Sequence, residues 1–462
     1  MPSPARSLRS LAPVAALVAA FAGLVSAQDG RDAQGFGHSA HGPAFDRGPR
    51  QRPWKIPGAG RAPFPITTRV PDVQDWFDQG NALLHSFEYF EAERAFRWCA
   101  KLDPACAMAY LGLARAVPYD RDRADAFMQQ AIEHKAAASE REQRWIEAFA
   151  RAYVPSLDRP EPGGLGWNAT SEELAEELER LILDFPDDVE AKAVYALNIL
   201  WKSSPYAVDA VLQQVLAVQP DHPGAIHYRI HNWDEKDLGH VALDDCARYG
   251  RIASDCGHAN HMPGHIYTKL GMWHEGAIWL DAATRVEKRY LQQNLVLPHQ
   301  AWNYPHNRNF LAHAQSMLGL PSAALQGSYD LLNAPLDPDE NSDDGDHTVF
   351  GQGLEALRRT LVRFERWDAI LEPGHIPWND SASHRAWRAH SEGLALLGQG
   401  DLAGAEQRVL DLLRLGKEIE AGSGDPTPLF EAGDIEGARK MLALKLLEDL
   451  HPIMVKELEG RL

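Results

Sequence analysis

The sequence predicts an all-α chain, an array of antiparallel helix pairs that repeats about every 34 residues. From Val73 onward, apolar residues recur at helical spacing in segments of about 12 to 17 residues separated by short turns. Helix-initiating prolines recur in step, with Pro186 and Pro220 34 residues apart. Alternating or β-branched runs that would signal strands are nearly absent.

Taken in order, residues 1–27 read as a signal peptide. Arg6 and Arg9 give a positive start, Leu11 to Val25 an apolar run, and Val25-Ser26-Ala27 a small-residue cleavage site. Cleavage is expected after about Ala27, which makes the chain exported, periplasmic or secreted. The apolar run is too short and too rich in alanine for a membrane span, so none is expected in the mature chain. Residues 28–70 form a leader rich in Gly, Pro, Arg and His with no apolar periodicity, expected to lie extended along the folded body. His38 and His41 fall in it as solvated tail residues.

Residues 71–420 are the repeat array. Trp76, Gly80, Leu83, Tyr89, Ala92 and Phe96, followed by Asp103-Pro104, pair a large and a small residue so that two helices approach closely. The helix pairs fall near 73–101, 107–135, 189–218, 223–254, 257–290, 305–333 and 384–416, with further helical segments at 138–153, 170–184 and 350–366. Leu270-Gly271-Met272-Trp273, Leu318-Gly319 and Gln399-Gly400-Asp401 mark turns within pairs. The stretch from Leu336 to Asp346 is an acidic surface loop; it lacks the terminal glutamate of a calcium-binding EF-hand. Residues 421–462 form C-terminal helices.

A net charge of −19 without a basic cluster argues against nucleic acid or an anionic membrane surface as partner. The four cysteines fall as Cys99 with Cys106 and Cys246 with Cys256. Two local disulfides and four buried thiols both suit that spacing in an oxidising compartment.

Histidine is concentrated. Eleven of the 20 lie between His222 and His313, including the i, i+4 pairs His227/His231 and His261/His265. Four residues apart on a helix means one face, close enough for two imidazoles to share an ion. Each histidine of the first pair stands 34 residues from its counterpart in the second, one repeat period. Both pairs take the fifth and ninth positions of the first helix of a hairpin, positions that the resemblance of this repeat to the tetratricopeptide family implies face a concave groove. The next such helix places His306, Asn309 and His313 at the second, fifth and ninth positions, so three successive helices are expected to aim six histidines at one patch. The preceding repeat carries Ala193 and Leu197 there, so the frame itself does not require histidine. Asn81 and His85 take groove positions of the first repeat, Tyr304 and Asn307 flank His306, and Asp234 is placed to orient an imidazole. His299 and Trp302 precede the His306 helix as a cap, and His347 and His390 lie on later segments.

The repeat resembles the tetratricopeptide family over about 73–416. More narrowly, the segments 82–87, 103–110, 222–231, 261–267 and 304–307 resemble a largely uncharacterised group of bacterial exported tetratricopeptide proteins. The broad resemblance implies a right-handed α-solenoid that docks a protein or peptide in its groove. After about 420 the sequence departs from the group's pattern.

The reading is an exported solenoid that binds a partner or small ligand in its groove, with a transition metal (Zn, Cu or Fe) held by His227, His231, His261, His265, His306 and His313. Nitrogen ligands suit these ions better than calcium or magnesium. A metal-free interaction scaffold is the alternative. A metal-dependent oxidase, oxygenase or hydrolase is a third reading, although HExxH, GxSxG, Walker A and dinucleotide-binding patterns are absent.

Overall fold

The computed structural model describes residues 42–118, 120–153, 172–234, 238–301, 303–337, 341, 348–424, 428 and 435–462. The expected signal peptide, His38, His41, Trp302, His347 and most of the acidic loop lie outside the described residues.

The regular structure is helical, and no strand occurs among the described residues. In order the helices are α1 (Pro71–His85), α2 (Tyr89–Leu102), α3 (Ala107–Ala116), α4 (Arg121–His134), α5 (Glu140–Tyr153), α6 (Glu172–Asp184) and α7 (Val189–Ile199). There follow α8 (Pro205–Val218), α9 (Pro223–Asp234), α10 (Leu243–Ile252), α11 (Gly257–Lys269), α12 (Trp273–Asn294) and α13 (Asn303–Met317). The last are α14 (Pro321–Leu332), α15 (Val349–Arg363), α16 (Trp367–Leu371), α17 (Ala382–Gln399), α18 (Leu402–Gly422) and α19 (Ile435–Arg461). No helix among the described residues is long and apolar enough to cross a membrane.

The chain divides into two compact units, the first ending at Lys288 and the second starting at Arg289. In each, consecutive helices pack as hairpins of the tetratricopeptide kind. Small residues set how closely they approach: a Cβ on Gly80 would lie 2.7 Å from the Phe96 ring, and one on Gly264 would lie 2.7 Å from Leu280.

Five turns within hairpins share one closure. The N–H donors of Glu88, Met272, Leu320, Arg366 and Asp401 each bond the carbonyl five residues back, at 2.8 to 3.0 Å. This is the Schellman pattern, and it forces the residue before each donor into the left-handed region. Glycine supplies it at Gly271, Gly319 and Gly400, as expected; Phe87 (φ 59°) and Glu365 (φ 50°) supply it without glycine.

In the first unit the described part of the leader is extended but tightly held. The Phe64 N–H donates to Asp78 (3.0 Å) and the Gly58 N–H to Asp255 (3.0 Å), while Phe64 is fully buried against Phe77 and Trp145. The array also folds back on itself. In a plain repeat protein each hairpin touches only its neighbours; here α1 packs on α9.

The four cysteines are buried free thiols rather than two bridges. The Cys99 thiol faces the Val73 carbonyl (3.6 Å) and the Cys256 thiol the Gly58 carbonyl (3.8 Å), and burial pushes Cys106 up to about 11, which leaves it inert.

In the second unit α13, α14 and α15 pack on one another, and α19 packs on both α17 and α18.

Candidate metal centre

Three imidazoles of the first unit converge. His227 and His231 lie on α9 and His258 lies on the first turn of α11, with one ring nitrogen of each within 4.8 Å of the others. The Nε2 atoms of His227 and His258 are 3.0 Å apart. Two ligands on one tetrahedral ion, with bonds of about 2.0–2.1 Å, stand about 3.3 Å apart.

The tautomer of His227 is fixed from behind. Its Nδ1–H donates to the His85 carbonyl at 2.6 Å, so the Nε2 lone pair points at His258. Burial, and then the nearby His231 and His258, hold His227 well below the usual imidazole value; burial takes His231 down to about 4. Both rings are therefore neutral at physiological pH, the form that ligates. His231 Nε2 is buried and has no hydrogen-bond partner among the described residues.

Aromatic rings pack around these three. The Phe87 ring centroid lies 4.4 Å from that of His227 and 5.4 Å from that of His258, and Tyr249 stacks on His227 at 5.0 Å. Glu88, next along the chain, accepts from the His258 backbone N–H (3.4 Å); burial and the nearby Glu287 carboxylate push it up to about 8.

One helical turn further along α11, His261 and His265 bring their Nε2 atoms to 2.5 Å. Asp234 lies 3.6 Å from His265 Nδ1 and pairs with Lys269 at 2.9 Å, so this carboxylate backs His265 rather than its chain neighbour His231. His258 and His261 link the two groups, with ring centroids 5.7 Å apart.

A third cluster has different chemistry. His85, Glu190 and His222 are all buried, and every contact has a donor and an acceptor. The Tyr228 hydroxyl donates to His85 Nδ1 (2.8 Å), and His85 Nε2–H donates to Glu190 (2.5 Å). The Ala225 N–H donates to His222 Nδ1 (3.1 Å), which leaves a protonated Nε2 facing Glu190 at 3.4 Å. Burial lowers His85 and alone would raise Glu190, but the two imidazoles outweigh it and hold Glu190 well below the carboxylate range. A carboxylate clasped by two N–H donors is a structural clamp.

Asn81 and His85 serve other ends, and the histidines of the centre are less open than the groove reading expects. The histidines of α9 and α11 are largely buried, with His227 0% and His261 1% exposed, rather than displayed on an open groove. The reason is that the α1–α2 corner and its Phe87 ring cover His227. Asn81 is buried and donates to the leader's Ala62 carbonyl (3.1 Å), so the leader occupies it; His85 belongs to the clamp.

On α13 of the second unit, Asn309 bonds Gln352, Glu355 and Arg359 of α15 and ties two helices together. Tyr304 packs in an apolar cluster with Leu291 and Leu331. His306 stacks near Phe310, with centroids 4.6 Å apart. His313 is taken down to about 4 by burial and by Arg359 and Arg363, and two guanidinium groups there disfavour a bound cation. Asn307 is fully buried, with neither side-chain polar atom hydrogen-bonded among the described residues.

Sequence reasoning missed His258, Glu190 and His222. His258 was within reach, because it takes the second position of its helix, the register assigned to His306 one repeat later. In α9 that position is Gly224, where a Cβ would lie 2.2 Å from the His85 ring. Glu190 carries no such signal.

No family model matches the chain, and no curated protein does. Solved structures with a similar arrangement include the APC/C hetero-tetramer Cut9–Hcn1, at 12% identity and TM-score 0.30, covering 84% of this chain and 76% of that one. The TPR domain of P58(IPK) matches at 14% identity and TM-score 0.21, covering 84% and 99%. Naa15/Naa10 bound to HypK-THB matches at 10% identity and TM-score 0.23, covering 84% and 72%. Likenesses this distant carry no argument about the site.

Proposed function

We propose that this chain is an exported scaffold of helix hairpins that docks a protein, peptide or small ligand and carries a histidine-ligated transition-metal centre in its first unit. Stacked hairpins present extended surfaces, the usual frame for docking. The metal reading rests on one observation above the others: the His85 carbonyl holds the His227 Nδ1–H, and the opposite lone pair aims at His258 with His231 alongside.

Buried polar atoms are costly unless satisfied, and an ion here takes up His231 Nε2, which has no hydrogen-bond partner among the described residues, together with the Nε2 lone pair of His227. Three nitrogens suit Zn(II), Cu or Fe(II) and leave a fourth position for an external ligand.

The test is elemental analysis of tag-free protein after loading with zinc or copper and desalting. The wild type is expected to retain stoichiometric metal, and a His227→Ala, His258→Ala variant to lose it from this centre. A folded wild-type chain that retains neither ion at saturating concentration is a metal-free interaction scaffold.

A further inference from the structure

We infer that the first unit holds two adjacent metal ions, one on His227, His231 and His258 and a second on His261 and His265. This rests on the metal reading above and extends it from a single ion to a binuclear centre.

The five imidazoles fall into two groups: one ring nitrogen each of His227, His231 and His258 lies within 4.8 Å of the others, and the Nε2 atoms of His261 and His265 meet separately. His258 and His261 lie on neighbouring turns of α11 with their rings nearly parallel, 28° between planes and 5.7 Å between centroids. The closest-approaching pair in each group crosses at a steep angle, 74° for His227 with His258 and 82° for His261 with His265, with His231 lying at 25° to His258. The Nε2 atoms then meet tip to tip, at 3.0 Å and 2.5 Å. Each meeting point is a separate ion position.

Helix geometry sets their spacing. His258 and His261 stand three residues apart on one face of α11, so the two positions are neighbours along the helix. Charge is distributed to match. Imidazole ligands add no compensating charge, but the Asp234 carboxylate stands 3.6 Å behind His265. The ligands are nitrogen throughout, which selects zinc or copper over magnesium or calcium.

Two measurements on the full chain without a histidine tag decide this. After loading with Zn(II) and desalting, wild type is expected to hold two ions per chain. A His261→Ala, His265→Ala variant is expected to hold one, still sensitive to His227→Ala. Loaded with Cu(II), wild type is expected to give a resonance signal broadened and split by dipolar coupling between two neighbouring ions. The double variant should give the full signal of one isolated copper. Should the double variant fail to fold, the wild-type stoichiometry and coupling still decide. One uncoupled ion per chain, unchanged by loss of His261 and His265, overturns the binuclear centre and leaves the three-histidine site standing. No retained ion overturns both.

Discussion

Phe87 sits at φ 59°, a region that costs a residue with a Cβ about 1–2 kcal/mol, and its ring is packed against His227, Tyr228, His231 and His258. Strain of this kind persists where the surroundings over-determine it, commonly at functional sites. Glycine would satisfy the turn, yet the position carries the ring that covers the imidazoles. The prediction separates the two effects. Phe87→Ala and Phe87→Gly both lose the ring, but in urea denaturation the glycine variant should be the more stable by about 1 kcal/mol. Equal stabilities, or alanine ahead, would remove backbone strain from the account. At this scale the sequence is only partly informative. The pairs His227/His231 and His261/His265 were legible because a helix fixes what lies four residues away. His85, Phe87 and Glu190 were not, because nothing local ties them to those pairs.

At the scale of elements, helix pairs were read nearly to their ends, since amphipathic spacing and turn glycines are written in adjacent residues. Where glycine is absent the turn is harder to see, as at Glu365, which adopts the same left-handed conformation on an exposed surface. Glu365→Gly should therefore stabilise the protein by about 1 kcal/mol, and Gly400→Ala should destabilise it by about as much. Thermal or urea unfolding reads both. A destabilised Glu365→Gly would mean that the carboxylate contributes more than the backbone costs. Burial was the harder judgement. Repeat register places histidines on a face, but whether that face is open depends on what other elements lay over it.

For the first unit as a whole, the decisive contact is α1 on α9, drawn together by the His85–Glu190–His222 clamp across 105 residues from His85 to Glu190. Its pH dependence follows from the shifts. Glu190 is held below its unfolded value, so its contribution is complete above about pH 4.5 and is lost as pH falls through the folded value. His85 is buried neutral and lowered, so below about pH 6.5 the unfolded chain takes up the proton first and stability falls again on acidification. Both act in one direction. The metal-free wild type should lose unfolding temperature steadily below about pH 6.5, and most steeply below about pH 4.5. Glu190→Gln should be less stable at neutral pH and flatter across the acid range. An acid profile unchanged by that substitution would take the clamp out of the closure.

By itself the sequence determined the all-α class, the hairpins and their turns, and the two histidine pairs in step. All of these follow from hydrogen bonds and side-chain spacing within a few residues of chain. Tertiary structure alone decided that α1 returns to α9, that Phe87 and the His85 carbonyl arrive behind His227, that His258 completes a set of three, and that Glu190 becomes a clamp. These depend on packing between helices 31 to 142 residues apart along the chain, where burial selects one approach among many and short-range spacing does not record the choice.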